Sequence, residues 1–251
     1  DNCYIYFVLN KELLPQHKIS LSFLYHLFPG FSVFLSFLLI NNSIIQLGFN
    51  SNISLAISFL FVGIPIQLFI IFKKGYNING KLSLDKVIFY RTKIPAFQLF
   101  LYVLLFIPYA FMVVLYIEPI NNFILQNYFY WIPESFNIEN SQINNNLTIT
   151  IVGFTLLIFI DGVLNPIVEE LYFRGFLMPR LSRYLYFSAF ISAFLFSISH
   201  FWFPWNILQT FLIVLPIYII VYRTKSIYIS IVTHCTGNLI GIAISLFNFF
   251  N

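Results

Sequence analysis

Ionisable side chains are costly inside hydrocarbon and by default mark function there. The last hundred residues of this chain set several such groups within apolar runs. The segment Asn165-Pro-Ile-Val-Glu-Glu-Leu-Tyr-Phe-Arg-Gly175 carries Glu169, Glu170 and Arg174. A second run reads Phe196-Ser-Ile-Ser-His200, and a third His234-Cys-Thr-Gly-Asn238. Peptide hydrolysis needs an activated water, a stabilised oxyanion and a proton for the departing amine. A carboxylate in a poorly hydrated site suits a general base that later returns its proton. An imidazole, neutral or protonated, and a carboxamide supply hydrogen bonds to an oxyanion. A glutamate with two histidines could instead hold zinc, although no His-Glu-x-x-His motif is present.

These groups act together only if helices carry them to one place. On a helix Glu170 and Arg174 are four residues apart, share a face and can form an ion pair. Glu169 lies about 100° round from Glu170 and points elsewhere, without that local partner. His234 and Asn238 are also four apart and present imidazole and carboxamide to one groove. If the glutamate helix reaches the basic surface near Ser182, Glu169 lies on the order of 20 Å along it. By the same count His200 lies roughly 24 Å along its helix from Tyr184. Counted from Ser226, His234 and Asn238 lie about 12 and 18 Å along theirs. Three helices thus bring their polar groups to broadly similar depths.

Composition places those helices in a membrane. Of 251 residues, 59% are hydrophobic and 9% charged, with a mean hydropathy of +0.85; soluble domains average about 25% charged residues. So few charges cannot cover a globular surface in water, and several runs exceed the roughly 18 apolar residues of a membrane span. The chain reads as all-α, a polytopic membrane helix bundle of about seven transmembrane helices. They fall near 19–40, 52–72, 96–117, 148–165, 184–203, 206–222 and 226–249. Pro29, Pro65, Pro108 and Pro216 sit inside them, which membrane helices tolerate. No internal repeat and no soluble second domain is visible.

All thirteen basic residues sort to one side of this alternation. Lys11 and Lys18 precede the first span, and Lys73, Lys74, Lys81, Lys86, Arg91 and Lys93 follow the second. Arg174, Arg180 and Arg183 follow the fourth, and Arg223 and Lys225 the sixth. The opposite loops carry only Glu118, Glu134 and Glu139 as charges. By the positive-inside rule the N-terminus is cytoplasmic and the C-terminus outside. The charge of +4 follows this membrane pattern and is no nucleic-acid signature. The first residue is Asp1, as in a processed or cut chain, and no secretory signal precedes Lys18. Cys3 and Cys235 are too few for a disulfide framework.

At the polar residues the sequence resembles the CAAX-protease and bacteriocin-processing (CPBP) family of intramembrane proteases. That family carries Glu-Glu-x-x-x-Arg, Phe-x-x-x-His and His-x-x-x-Asn motifs, standing here as Glu169–Arg174, Phe196–His200 and His234–Asn238. Order and spacing fit over about residues 150–245, so 148–251 is expected to be the catalytic membrane core. Residues 1–147 form a transmembrane region of unrecognised type. The resemblance implies that Glu169 activates the water, His200 and Asn238 stabilise the oxyanion, and His234 orients the water or Glu169. Glu170 and Arg174 would brace the site, and Phe196 would pack and shape it. It further implies a metal-independent glutamate mechanism with no cofactor, zinc being the alternative. The substrate would be a membrane-associated protein or peptide, a prenylated CAAX tail or a leader peptide, and the membrane a bacterial inner membrane or the endoplasmic reticulum.

Other residues read as structural. Asp161 lies unexplained in the fourth span, placed to contact the site or line a wet cavity, and His26 in the first reads as a packed histidine. The segment 73–93 mainly sets topology, with some attraction for anionic headgroups. Asn52-Ile-Ser54 is a weak glycosylation match in an Asn-rich chain. Two rivals stand beside the protease: a non-proteolytic immunity or scaffold protein of the same fold, and a transporter relaying protons through Glu and His. Transporters usually show internal repeats, which are absent here.

Overall fold

The computed structural model describes residues 14–133, 136 and 146–250. Asp1, Cys3, Lys11, Glu134 and Glu139, used above for processing, disulfides and charge sorting, lie outside them. Among the described residues the fold is helical, with one isolated bridge between Arg91 and Ser226. Six helices are long and apolar enough to cross a membrane: α1 (Ile19–Gln46), α2 (Ser51–Asn79), α3 (Ala96–Tyr128), α4 (Leu147–Tyr184), α6 (Pro204–Thr224) and α7 (Ile227–Phe250). A shorter apolar helix, α5 (Phe187–Ile198), lies between α4 and α6.

The predicted fifth span, 184–203, is therefore cut at both ends. Leu185 adopts φ 52° and breaks the chain away from α4. Ser199–Phe203 turn instead of continuing the helix, because Pro204 disfavours helical backbone just before it. At 12 residues, α5 is about 18 Å long. His200 thus stands in the turn beyond α5, not within a helix as its assignment to the span 184–203 implied.

The exposed surface suits lipid: Phe61, Leu39, Phe97, Leu105 and Phe247 are all largely exposed. Helix α3 is the most peripheral, with Asn121 its one buried residue. At the basic end a core of Ile71, Val87, Ile88, Tyr172, Phe176, Leu177, Met178 and Ile227 packs tightly. The segment after α2 tucks beneath this core. Phe89 N–H donates to Gly175 O at 2.9 Å, Thr92 N–H to Lys225 O at 2.9 Å and Ile227 N–H to Tyr90 O at 2.7 Å. A stretch that read mainly as a charge cluster therefore seals the bundle with Val87 and Ile88.

Two glycines set close approaches. A Cβ on Gly30 would stand 2.2 Å from the Ser199 carbonyl oxygen, so α1 presses directly on the turn that carries His200. A Cβ on Gly162 would stand 2.6 Å from Leu239 Cδ2, so α4 and α7 meet closely near Asn238.

Candidate active site

Helix α4 is irregular where its polar residues lie. α-Helical turns over Leu147–Phe159 and Asn165–Glu169 alternate with π-helical ones over Ile160–Leu164 and Glu170–Leu177. Such π-turns insert an extra residue and recur at functional sites. They sit beside Asp161 and Glu170, and no sequence signal sets them apart from ordinary helix.

The two adjacent glutamates diverge, as their helical angle requires. Glu170 is fully buried. Its Oε1 accepts a hydrogen bond from Arg174 Nη1 within an i,i+4 ion pair, and another from His234 Nδ1 at 2.8 Å. The Arg174 guanidinium also lies over the Tyr218 ring at 4.0 Å and the Phe196 ring at 5.4 Å. Glu169 faces the other way, into a cavity of about 820 Å³. The Asn165 amide, one turn back, acts on its carboxylate.

His200, His234 and Asn238 line the same cavity as Glu169. His200 Nδ1 donates to the Phe196 carbonyl at 2.8 Å, and its ring packs on Phe196 and Trp202 with centroids 4.7 and 5.0 Å apart. A carbonyl can only accept, so a neutral His200 carries its proton on Nδ1 and presents a bare Nε2. Carboxylate pairing sets His234 the same way. Donation from either Nε2 to an oxyanion therefore requires the protonated ring, which corrects the expectation that the neutral form would serve. Asn238 Nδ2 donates to the Asp161 backbone oxygen at 2.8 Å. One Nδ2 proton makes that bond, and the amide carries a second.

Thus Glu169, His200, His234 and Asn238 share one cavity, while Glu170, Arg174 and Phe196 line an adjoining apolar groove of about 400 Å³. That groove runs between α3, α6 and α7, and meets the cavity at His200, His234, Asn238 and Thr210. His234, expected to orient the water or Glu169, pairs through Nδ1 with Glu170 and keeps its Nε2 on the cavity side of that bond. Asp161 lines the cavity, one of the two places open to it from sequence, and so does Asn165, to which the sequence assigns no role. Their spacing of four from each other and from Glu169 was the signal available. His26 is a packed histidine as read, with Nδ1 donating to Ser22 O at 2.7 Å.

Zinc requires three or four converging ligands. Among the described residues no three His, Cys, Asp or Glu side chains are grouped so as to hold a metal ion. The described residues do not fit the metal alternative. The arrangement is instead a buried carboxylate facing a polar cavity, with two oriented imidazoles and an amide around it.

No curated protein and no solved structure matches this chain. Residues 151–240 match the family model described as type II CAAX prenyl endopeptidase Rce1-like. The matched residues contain all three motifs, so over this segment the chain is similar to an Rce1-like intramembrane endopeptidase, within an integral membrane protein that has six helices long and apolar enough to cross a membrane.

Proposed function

We propose that the chain hydrolyses a peptide bond in a membrane-associated substrate, with Glu169 as general base for the attacking water. Residues 148–251 are the catalytic core, and α2 and α3 help to wall it, with Phe59 on the cavity and Ile107 on the groove. The observation that carries this reading is the division of labour between adjacent carboxylates. Glu170 is committed to Arg174 and His234, while Glu169 faces the cavity beside an amide and two imidazoles.

Glu169 takes a proton from water as the oxygen attacks the scissile carbonyl. The second N–H of Asn238 donates to the oxyanion, joined by His200 when that ring is protonated. The tetrahedral intermediate collapses, and Glu169 returns its proton to the departing amine. Glu170 fixes the His234 tautomer, leaving Nε2 to accept a hydrogen bond from the water. General-base and oxyanion contributions of this kind are worth roughly 10²–10⁴ and 10²–10³ in rate. The adjoining apolar groove supports a lipid-bearing substrate, since each buried CH2 contributes about 0.8 kcal/mol.

The test is cleavage by purified chain in detergent of a fluorogenic prenylated CAAX peptide and of leader-type membrane peptides, with and without chelator. Activity that survives chelation and disappears in Glu169→Ala is the expected result. Activity abolished by chelator would return the zinc mechanism, and activity retained by Glu169→Ala would remove Glu169 from the chemistry.

A further inference from the structure

The cavity that holds Glu169 has a direction. On the basic side of Glu169, α4 continues through Tyr172, Leu177, Met178 and Leu181, none of them exposed. Val87 and Ile88 close that end from below, tied down by the backbone bonds at Gly175, Lys225 and Tyr90. Packing of this kind leaves few voids large enough for water, so the described residues offer a peptide no polar route from the basic face.

The lining runs the opposite way. It reaches Asn50 and Asn52 at the start of α2, Thr150 near the start of α4, Asn206 in the first turn of α6 and Asn248 near the end of α7. Every one of these belongs to the half of the molecule remote from the basic loops. Among the described residues no lysine or arginine lines the cavity, and the carboxylates that line it are Asp161 and Glu169. Amide and hydroxyl groups along such a passage can pair with the N–H and C=O groups of an extended peptide.

We propose that the peptide substrate reaches Glu169 from the membrane face opposite the basic loops, through this amide-lined passage. By the positive-inside rule that face is extracytoplasmic. The substrate is then a polypeptide segment presented outside, on or beside the bilayer, and its lipid-bearing part lies in the groove between α3, α6 and α7. The proposal rests on the peptidase reading for its substrate and on the packing alone for its direction.

The test separates the two. Single cysteines are placed in the full chain after Cys3→Ser and Cys235→Ser, in sealed phosphatidylethanolamine–phosphatidylglycerol vesicles, and a membrane-impermeant maleimide is added to one side. Gly237→Cys is the deep reporter, because a Cβ there meets only Ile107 Cδ1 at 3.8 Å. Asn165→Cys is a second deep reporter, Ser245→Cys marks the mouth and Lys86→Cys the basic face. Labelling of the deep reporters from the Ser245→Cys side and not from the Lys86→Cys side is expected. Labelling from the Lys86→Cys side, or from neither side, overturns the proposal.

In parallel, the wild-type chain in oriented vesicles is given the fluorogenic peptides from outside. Cleavage is expected when the basic face is inward and lost when it is outward, with detergent abolishing the difference. Cleavage only with the basic face outward overturns the proposed route. Absence of cleavage in detergent would remove the peptidase reading, while the maleimide pattern would still decide the direction of the cavity.

Discussion

Replacing Glu170 by glutamine keeps the side chain's shape and removes its charge. In the native chain one oxygen of Glu170 accepts from both Arg174 and His234, and Arg174 is 2% exposed. After substitution the guanidinium keeps only its ring contacts and a neutral acceptor. Orphaning one member of a buried pair costs about 3–5 kcal/mol in water-soluble proteins. Polar couplings inside membranes are smaller, on average about 0.6 kcal/mol, because the unfolded chain in lipid also finds partners. A cation this deeply buried, whose one ion-pair partner among the described residues is Glu170, belongs nearer the first regime, so Glu170→Gln is expected to cost about 3 kcal/mol. The penalty then comes chiefly from the stranded cation. Adding Arg174→Met should recover at least about 1 kcal/mol of it. Reversible unfolding in mixed micelles measures both variants. A double variant as unstable as the sum of its singles would refute the stranded-charge argument, as would a Glu170→Gln cost below about 0.5 kcal/mol, the scatter of ordinary surface changes.

Other residues give sharper local tests. Gly30→Ala drives a methyl into the Ser199 carbonyl oxygen and should destabilise by about 1–3 kcal/mol; cleavage per folded molecule should fall too, since His200 follows Ser199. Micelle unfolding and the fluorogenic assay read the two effects, and unchanged cleavage would uncouple α1 from the His200 turn. Asn238→Leu should lower kcat by about 10²–10³ with little change in KM, measured by steady-state cleavage. His17, before α1, is buried against Tyr25 at 5.3 Å between ring centroids. Burial, with Arg180, Lys74 and Arg183 nearby, lowers its pKa from 6.5 to about 4. The unfolded chain therefore binds a proton at His17 that the folded chain refuses, so this residue makes stability fall as pH drops from 6.5 towards 4. His17→Gln should flatten that part of the pH–stability curve, and an unchanged slope would assign it to other groups.

Much of the site was legible because its chemistry is local. Spacing of four put Glu170 with Arg174 and His234 near Asn238, and the 100° step between Glu169 and Glu170 foretold their separation. The sorting of basic residues to one side needs α5 to cross along with the six long helices, although at 12 residues it is shorter than the span read for it. What stayed hidden depends on approach between distant segments. His234 meets Glu170 across 64 positions, and nothing in either motif says which glutamate it faces. His200 Nδ1 is committed to Phe196 by the turn at Ser199–Phe203, which an apolar run ending in Phe-Pro disguised as further helix. The closure of the basic end by Val87 and Ile88 was masked by the surrounding lysines, whose charges dominate that stretch. The direction of the cavity follows from that closure and could not be read from depth counts.

Glu169 is where the account is most exposed. In folded protein, Glu169→Gln retains the shape and hydrogen-bonding capacity of the side chain but cannot take a proton from water. Steady-state cleavage of the best fluorogenic peptide should show kcat lowered by about 10²–10⁴ with KM nearly unchanged. A loss below about tenfold in protein that unfolds like the wild type would mean that another group activates the water, and the assignment of Glu169 would be wrong.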